Sequence, residues 1–407
     1  MKKTKKNRVY SIALLFIMIF SACSSNQKNE ENTDKDEITV VAYYFPNYHE
    51  DSRNAAYHGK GWTEWELIKK DQPCKENGHQ PNVPAWGYTD EADPVDMAQK
   101  IDAAADNGID VFLFDWYMYE DGPFLDKAID EGFLKAENKD RIKYAFMWAN
   151  HDWIDIHPYI KGKEHKILYP GKVSPERYDE ISDMLIETYF TNDNYWKIDG
   201  KAYFSVYDIN NFINGFGSLE ATKKAMNRMR DKAKAAGLKG FHWNLVSWEQ
   251  AILPSEKTPV DNGKMVKKLG FNSVTSYVWI HHVALNETPT DYNYVREEYF
   301  KYWDKSVEEF PVPYYPNVTM GWDATPRCDL SSTWENVGYP FMNAMGNNTP
   351  KNFKTALEMT KNKMLADSNC VRIMNINCWN EWTEGSYLEP DMINGMKYLE
   401  AVRDVYN

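Results

Sequence analysis

The 407-residue chain is poor in cysteine, with five, and in histidine, with nine, and neither type is spaced for metal binding. No two cysteines form CxxC and no histidine pair accompanies them at ligand spacing, which argues against a structural zinc site. No glycine-rich fingerprint follows the first apolar run, so a dinucleotide-binding fold is not indicated. Basic runs are confined to the extreme N-terminus, and Lys+Arg 47 against Asp+Glu 60 leaves a net charge of -13. That balance disfavours nucleic acid as a partner. The N-terminal apolar run is about half the ~20 residues that span a bilayer, so a permanent transmembrane helix is not expected.

What the chain has in excess is aromatic rings: 15 Trp, 27 Tyr and 18 Phe make up 15% of it. Flat rings beyond those a core consumes can serve as stacking platforms for sugars or bases. Hydrophobic residues at 43% and charged ones at 26% fit a packed, enzyme-sized body.

A basic cluster in residues 1–10, an apolar stretch over 11–20 and Ser21-Ala22-Cys23 have the layout of a secretory signal. Phe20-Ser21-Ala22-Cys23 resembles a bacterial lipobox. The resemblance implies that residues 1–22 are removed and that Cys23 carries the lipid, holding an exported protein on a membrane of the cell envelope. Removal takes away Lys2, Lys3, Lys5, Lys6 and Arg8 and no acid, so -13 becomes -18 and anionic partners are repelled. Residues 23–37 are polar, without periodicity, and are expected to form a tether ahead of a single catalytic domain over 38–407. Of the other cysteines, Cys370 and Cys378 fall in an apolar run, while Cys74 and Cys328 fall in loops where export would permit a disulfide; the pairing stays open.

Eight strand-like segments are expected: Ile38–Pro46, Ile109–Tyr117, Ile142–Asn150, Lys201–Asp208, Gly240–Trp248, Ser273–Ile280, Tyr314–Trp322 and Val371–Trp379. Helical patterns alternate with them at Pro94–Asn107, Phe124–Ala136, Pro175–Phe190, Leu219–Ala236, Val260–Leu269, Arg296–Phe310, Lys354–Asp367 and Gly395–Tyr406. Eight such pairs, with strands apolar on both faces, indicate an α/β protein with the (β/α)8 architecture of a TIM barrel. A doubly wound open sheet is the alternative.

In such a barrel the site lies at the C-terminal strand ends. Those ends carry Asn47 and His49; Asp115, Trp116 and Tyr117; Trp148, Asn150 and His151; Tyr207 and Asp208; Ser247 and Trp248; Trp279, His281 and His282; Trp322, Asp323 and Arg327; and Asn380, Glu381, Trp382 and Glu384. Carboxylates and amides grip hydroxyls and indoles stack on pyranose rings, so this inventory suits a saccharide cleft. Adjacent histidines such as His281 and His282 point to opposite faces of a strand and do not share one ion easily, and no cofactor or metal is expected.

The densest signal is Asn380-Glu381-Trp382-Thr383-Glu384-Gly385 at the end of the eighth strand. Two glutamates three apart on a tight turn can face the same way. Like charges held together in a dry pocket split their titration, leaving one acid and one base, the division that glycosidic cleavage requires.

This segment resembles the Asn-Glu-Trp-x-Glu-Gly motif of family 99 glycoside hydrolases, the endo-α-mannosidases and endo-α-mannanases. A closer likeness is to the related WbsX-like domains, often labelled glycosyltransferases. The likeness extends through Ala42-Tyr43-Tyr44-Phe45-Pro46-Asn47-Tyr48-His49, Gly61-Trp62-Thr63-Glu64-Trp65, Gly78-His79-Gln80-Pro81, Gly321-Trp322-Asp323-Ala324-Thr325-Pro326-Arg327 and Tyr387-Leu388-Glu389-Pro390-Asp391. It implies a (β/α)8 barrel and a retaining mechanism. By that resemblance Glu381 removes the proton of the sugar 2-hydroxyl, which attacks the anomeric carbon, and Glu384 is the acid/base. Tyr44, Trp62, Glu64 and Trp65 join the strand-end residues as expected substrate contacts. The expected protein is a monomeric, lipid-anchored glycoside hydrolase acting on an oligo- or polysaccharide; the alternatives are a glycosyltransferase and a non-catalytic glycan-binding lipoprotein.

Overall fold

The computed structural model describes Met1 and residues 37–407, apart from Ser255. The signal segment, Cys23 and nearly all of the tether lie outside the described residues. The described residues from Glu37 onward belong to one compact unit.

Eight parallel strands form the barrel: β1 (Thr39–Tyr44), β2 (Val111–Tyr119), β3 (Lys143–Trp148), β4 (Lys201–Val206), β5 (Phe241–Val246), β6 (Ser273–Thr275), β7 (Tyr314–Tyr315 and Asn317–Thr319) and β8 (Ile373–Asn377). Each pairs with its sequence neighbour from β1 to β6, and β8 pairs with β1. The ring closes through β7, whose first part pairs with β6 and whose second part pairs with β8. Pro316, which has no N–H to give a ladder, separates the two parts. The strands are buried almost end to end, as a sheet covered on both faces must be.

The covering helices are α1 (Ser52–His58), α2 (Trp65–Lys70), α3 (Pro94–Asp106), α4 (Pro175–Leu185), α5 (Ile209–Phe216), α6 (Leu219–Ala235), α7 (Asn262–Leu269), α8 (Tyr292–Glu309), α9 (Pro350–Ala366) and α10 (Lys397–Tyr406). Asp93, Ser174 and Thr349 cap α3, α4 and α9, each followed by proline at the first helical position.

The expected helix over Phe124–Ala136 is not present as such. Gly122–Phe124 folds back antiparallel on β2, and a π-helical turn, Ala128–Gly132, leads into a 3-10 turn, Phe133–Lys135. Here the backbone of Gly132 approaches the carbonyl of Glu91 so closely that a Cβ would stand 1.9 Å from it, and the wider turn accommodates that approach. The sixth strand also ends earlier than expected, at Thr275. Side chains of β7 take its next backbone groups: the Asn317 amide donates to the Tyr277 carbonyl, and Thr319 Oγ1 accepts from the Trp279 N–H. The short helices α1, α2 and α5, unanticipated from the sequence, sit in the loops after β1 and β4.

Three long loops, over 45–93, 320–349 and 378–396, follow β1, β7 and β8. They meet over one sector of the barrel mouth, where the Asn77 amide donates to Thr325 Oγ1 and Pro84 bridges to Asp391.

Candidate active site

After β8 the chain makes a hairpin in which Asn380–Glu381 pairs antiparallel with Ser386–Tyr387. The connection is a 3-10 turn, Trp382–Glu384, closed by Gly385 at φ 63°. A side chain at Gly385 would be strained by that angle and its Cβ would stand 3.0 Å from Asp323. The turn is fixed from below. The Asn380 amide accepts from Phe45 N–H and donates to Phe45 O and Glu91. The indoles of Trp379 and Trp382 donate to the two oxygens of Glu389, whose carboxylate also meets Lys100 Nζ at 2.7 Å.

The hairpin presents both glutamates to one guanidinium. Arg327 Nη2 donates to Glu381 Oε1 at 2.7 Å and Nη1 to Glu384 Oε1 at 2.5 Å. The same Nη2 and Nε hold Glu64 Oε1 at 2.7 and 2.9 Å. Glu64 stands at the start of α2; it also accepts from Asn47 and Thr383, and Thr383 reaches Glu381 Oε1 at 3.3 Å. Tyr339, from the loop after β7, donates to Glu384 Oε1 at 2.7 Å and accepts from Arg327.

Three carboxylates around one cation in a dry place do not all ionise freely. Burial works against an ionised Glu64, but Arg327, His157 and the Thr383 hydroxyl offset it and hold its pKa below the usual value. Glu381 goes the other way: burial pushes it well up, Arg327 opposes, and the charges of Glu384 and Glu64 add to the rise. Burial also raises Glu384, against Arg327 and the Tyr339 hydroxyl. Burial alone would lower the Arg327 pKa, but the surrounding acids raise it well above its ordinary value. Glu64 thus offsets the charge of Arg327, while the raised carboxyls of Glu381 and Glu384 are disposed to share a proton. Glu381 is 2% exposed and Glu384 7%, so Glu384 is the side chain nearer to solvent.

Towards the barrel axis, Asp115 Oδ2 accepts from the Tyr277 hydroxyl at 3.0 Å, while its Oδ1 has no partner among the described residues. Burial pushes the Asp115 carboxyl well up. Tyr207 stacks on Trp248 at 5.4 Å and meets Tyr277 and His281 edge-on. Nδ1 of His281 is buried without a partner among the described residues, and burial lowers its pKa to about 4.

The structure therefore brings Glu64, Arg327, Glu381 and Glu384 together, with Asp115, Tyr207 and Trp248 beside them. Asp323 stands behind this group: its N–H donates to the Glu384 carbonyl at 2.6 Å, and its carboxylate contacts His79 and Thr325. Several other expected contacts take different places: on the strands, neighbouring residues face opposite sides of the sheet, whereas Trp62, in the loop after β1, meets His157, which lies 4.0 Å from Glu64. Asp115 points inward, so Trp116 packs outward between Phe146, Phe204 and Trp148. Trp148 packs on Tyr178 and Phe212, and Tyr44 points at Met97 of α3. Trp279 donates to Asn317 O and packs on Tyr292 and Tyr299 of α8. Asn150 ties the ends of β3 and β4 together by bonding both backbone groups of Asp208, and Asp208 caps α5. Trp65 packs on Tyr48 and Trp382, Trp382 on Tyr387, and Trp62 on His58. His49 is buried with neither ring nitrogen partnered among the described residues, and burial lowers its pKa to about 3.

Sequence reasoning missed Tyr277, Tyr339, Thr383 and His79 as parts of this assembly. His79 and Thr383 lay in motifs that had been singled out, though neither was given a role; Tyr277 and Tyr339 had no local pattern to mark them. Cys74 and Cys328 are both buried free thiols, so the disulfide left open by the sequence is not formed. Among the described residues no group of three or more His, Cys, Asp or Glu side chains is placed to hold a metal ion. Nor is any described helix long and apolar enough to cross a membrane.

Solved structures share this fold. The GH99 endo-alpha-mannosidase from Bacteroides thetaiotaomicron aligns over 91% of this chain and 96% of its own, with a TM-score of 0.53 at 14% identity. A structure described as a glycoside hydrolase-like protein aligns over 91% and 94%, with a TM-score of 0.56 at 15% identity. The chain thus has the TIM-barrel fold of these structures. Two curated relatives, both described as uncharacterized protein WxcX, from strains B100 and ATCC 33913 of Xanthomonas campestris pv. campestris, are 24% identical over 90% of this chain. The chain spans about half the length of these relatives, 49% in each case. Residues 40–402, nearly the whole barrel, match one family throughout, and the chain belongs to that family, described as Glycosyltransferase WbsX.

Proposed function

We propose that the protein is a glycoside hydrolase in which Glu381 and Glu384 cleave a glycosidic bond with retention at the anomeric carbon. The observation that carries this reading is the convergence of both carboxyls, each with a raised pKa, on the buried guanidinium of Arg327. A pair that holds one proton supplies a base and an acid together.

In the first step Glu381 takes the proton of the sugar 2-hydroxyl, O2 bonds to C1, and the bond from C1 to the leaving oxygen breaks as Glu384 protonates that oxygen. In the second, Glu384 takes a proton from water, the water oxygen attacks C1, and the C1–O2 bond opens as Glu381 returns its proton. The unpartnered atoms of Asp115 and His281 are suited to sugar hydroxyls, and the Tyr207–Trp248 stack offers a platform.

An α-mannoside-like glycan is the proposed substrate, on the likeness of fold to the Bacteroides endo-alpha-mannosidase. The proposed working form is an exported monomer held on a bacterial membrane by a lipid on Cys23. The family's description favours a second reading, sugar transfer from a nucleotide donor. Against it stands the net charge of -13, which repels the donor's phosphates.

Glu381→Gln and Glu384→Gln should each abolish release of oligosaccharide from a panel of α-mannans and other polysaccharides while glycan binding persists. NMR of the first-formed product should show retained configuration. Unchanged turnover would remove the pair from the mechanism, and micromolar binding of a uridine- or guanosine-diphosphate sugar, read by calorimetry, would favour transfer.

A further inference from the structure

Beside the carboxylate cluster lies a cavity of about 410 Å³, lined by none of Glu64, Arg327, Glu381 or Glu384. Its walls combine Gln80 and Asn82 from the loop after β1, Trp322 and Asn348 from the loop after β7, and Tyr387 and Asn394 from the loop after β8. That volume falls within the range of small-ligand clefts. Amides both donate and accept, which matches hydroxyl groups that do the same. Among the described residues no lysine or arginine lines the cavity. Its histidine, His79, already has both ring nitrogens engaged by Asp71 and Asp323. An anionic ligand would find no free positive charge there.

The indole of Trp322 points to what is missing. This residue lines the cavity and is 3% exposed, yet its Nε1–H has no acceptor among the described residues. A buried donor without an acceptor is costly, and a small turn of the indole toward the cavity would let a ligand oxygen satisfy it. Tyr387, stacked at 3.7 Å on Trp382, gives the same cavity an aromatic wall.

We propose that this cavity is a second sugar-binding site, taking a neutral pyranose unit of a glycan whose scissile bond lies at the carboxylate pair; it rests on the hydrolase reading for that last clause. Trp382 and Gly385 line the cavity and flank Glu384 on its turn, so the two sites share a wall. A glycan long enough to pass over that wall would engage both sites and bind more tightly than a short one.

The test uses the full chain and methyl glycosides of mannose, glucose and galactose, with binding followed by saturation-transfer NMR. At least one of them binds, and its affinity falls about tenfold in the double variant Gln80→Ala/Asn394→Ala and in the separate variant Asn82→Leu. Glu384→Gln leaves that binding in place. Failure of every probe to bind, or binding weakened by Glu384→Gln and untouched by the cavity variants, overturns the proposal. Tighter binding of the corresponding uronic acids overturns the neutral class. Glycan hydrolysis by the unaltered protein is assayed in parallel. Cavity binding without hydrolysis would remove the catalytic reading and keep the sugar site, and hydrolysis without cavity binding would do the reverse.

Discussion

Tyr339 donates its hydroxyl to Glu384 Oε1 at 2.7 Å from a position that is itself 43% exposed. An O–H donor on a carboxylate favours the ionised form, and this bond lowers a pKa that burial raises. If Glu384 is the acid of the proposed mechanism, the alkaline limb of the kcat/KM profile reports the loss of the pair's proton. Tyr339→Phe should therefore move that limb to higher pH, by about one unit for a hydrogen bond to a charged group. A limb that stays in place or moves down would refute this arrangement.

Arg327 is the cation that Glu64, Glu381 and Glu384 share. Replacing it with methionine leaves three buried acids with no counter-charge, and Arg327→Met should lose about 3–5 kcal/mol of stability in urea unfolding as well as activity. Adding Glu64→Gln should recover part of the stability, because Glu64 is the acid that Arg327 keeps ionised. A loss well under 1 kcal/mol for Arg327→Met would mean that the cluster is not held as the geometry indicates.

Much of this was legible in the sequence. Strands buried on both faces appear as continuous apolar runs, which is why eight of them could be counted and the carboxylate pair placed at the end of the last. The same property hid the phase. With both faces apolar, nothing in the run Val111–Tyr119 says that Asp115 faces the axis and Trp116 the helices, so Trp116, Trp148 and Trp279 appeared as mouth residues when they pack outward. The Tyr339 and His79 contacts were invisible for a different reason. They join loops without periodicity across 45 and 244 residues of chain, a distance no local pattern encodes.

Lys100 lies fully buried in α3, 2.7 Å from Glu389 and 3.3 Å from Glu91. Through Glu389 it supports the indoles of Trp379 and Trp382, and through Glu91 the Asn380 amide, so one lysine underpins the whole carboxylate hairpin. Lys100→Met should cost about 3–5 kcal/mol, since it strands two acids in the interior. The triple variant Lys100→Met/Glu91→Gln/Glu389→Gln should cost less than the single one. Urea unfolding of the two variants decides this, and the reverse order would sink it.

His79 joins Asp71 through Nε2 at 2.8 Å and Asp323 through Nδ1 at 2.5 Å. Burial alone would lower its pKa, but the two aspartates raise it to about 10. The folded protein then keeps the His79 proton where the unfolded chain, near 6.5, has released it. Because the folded state binds more protons across this window, stability falls as pH rises. The contribution is fully present below about pH 6.5 and is lost progressively up to about pH 10. Asp323 passes the effect on, since its N–H holds the Glu384 carbonyl and its carboxylate holds Thr325, two residues ahead of Arg327. His79→Gln keeps a hydrogen-bonding side chain and removes the titration. The unaltered protein should therefore lose melting temperature relative to His79→Gln between pH 6.5 and 10, and a difference that stays constant across that range would show that the imidazole is not charged between its two aspartates.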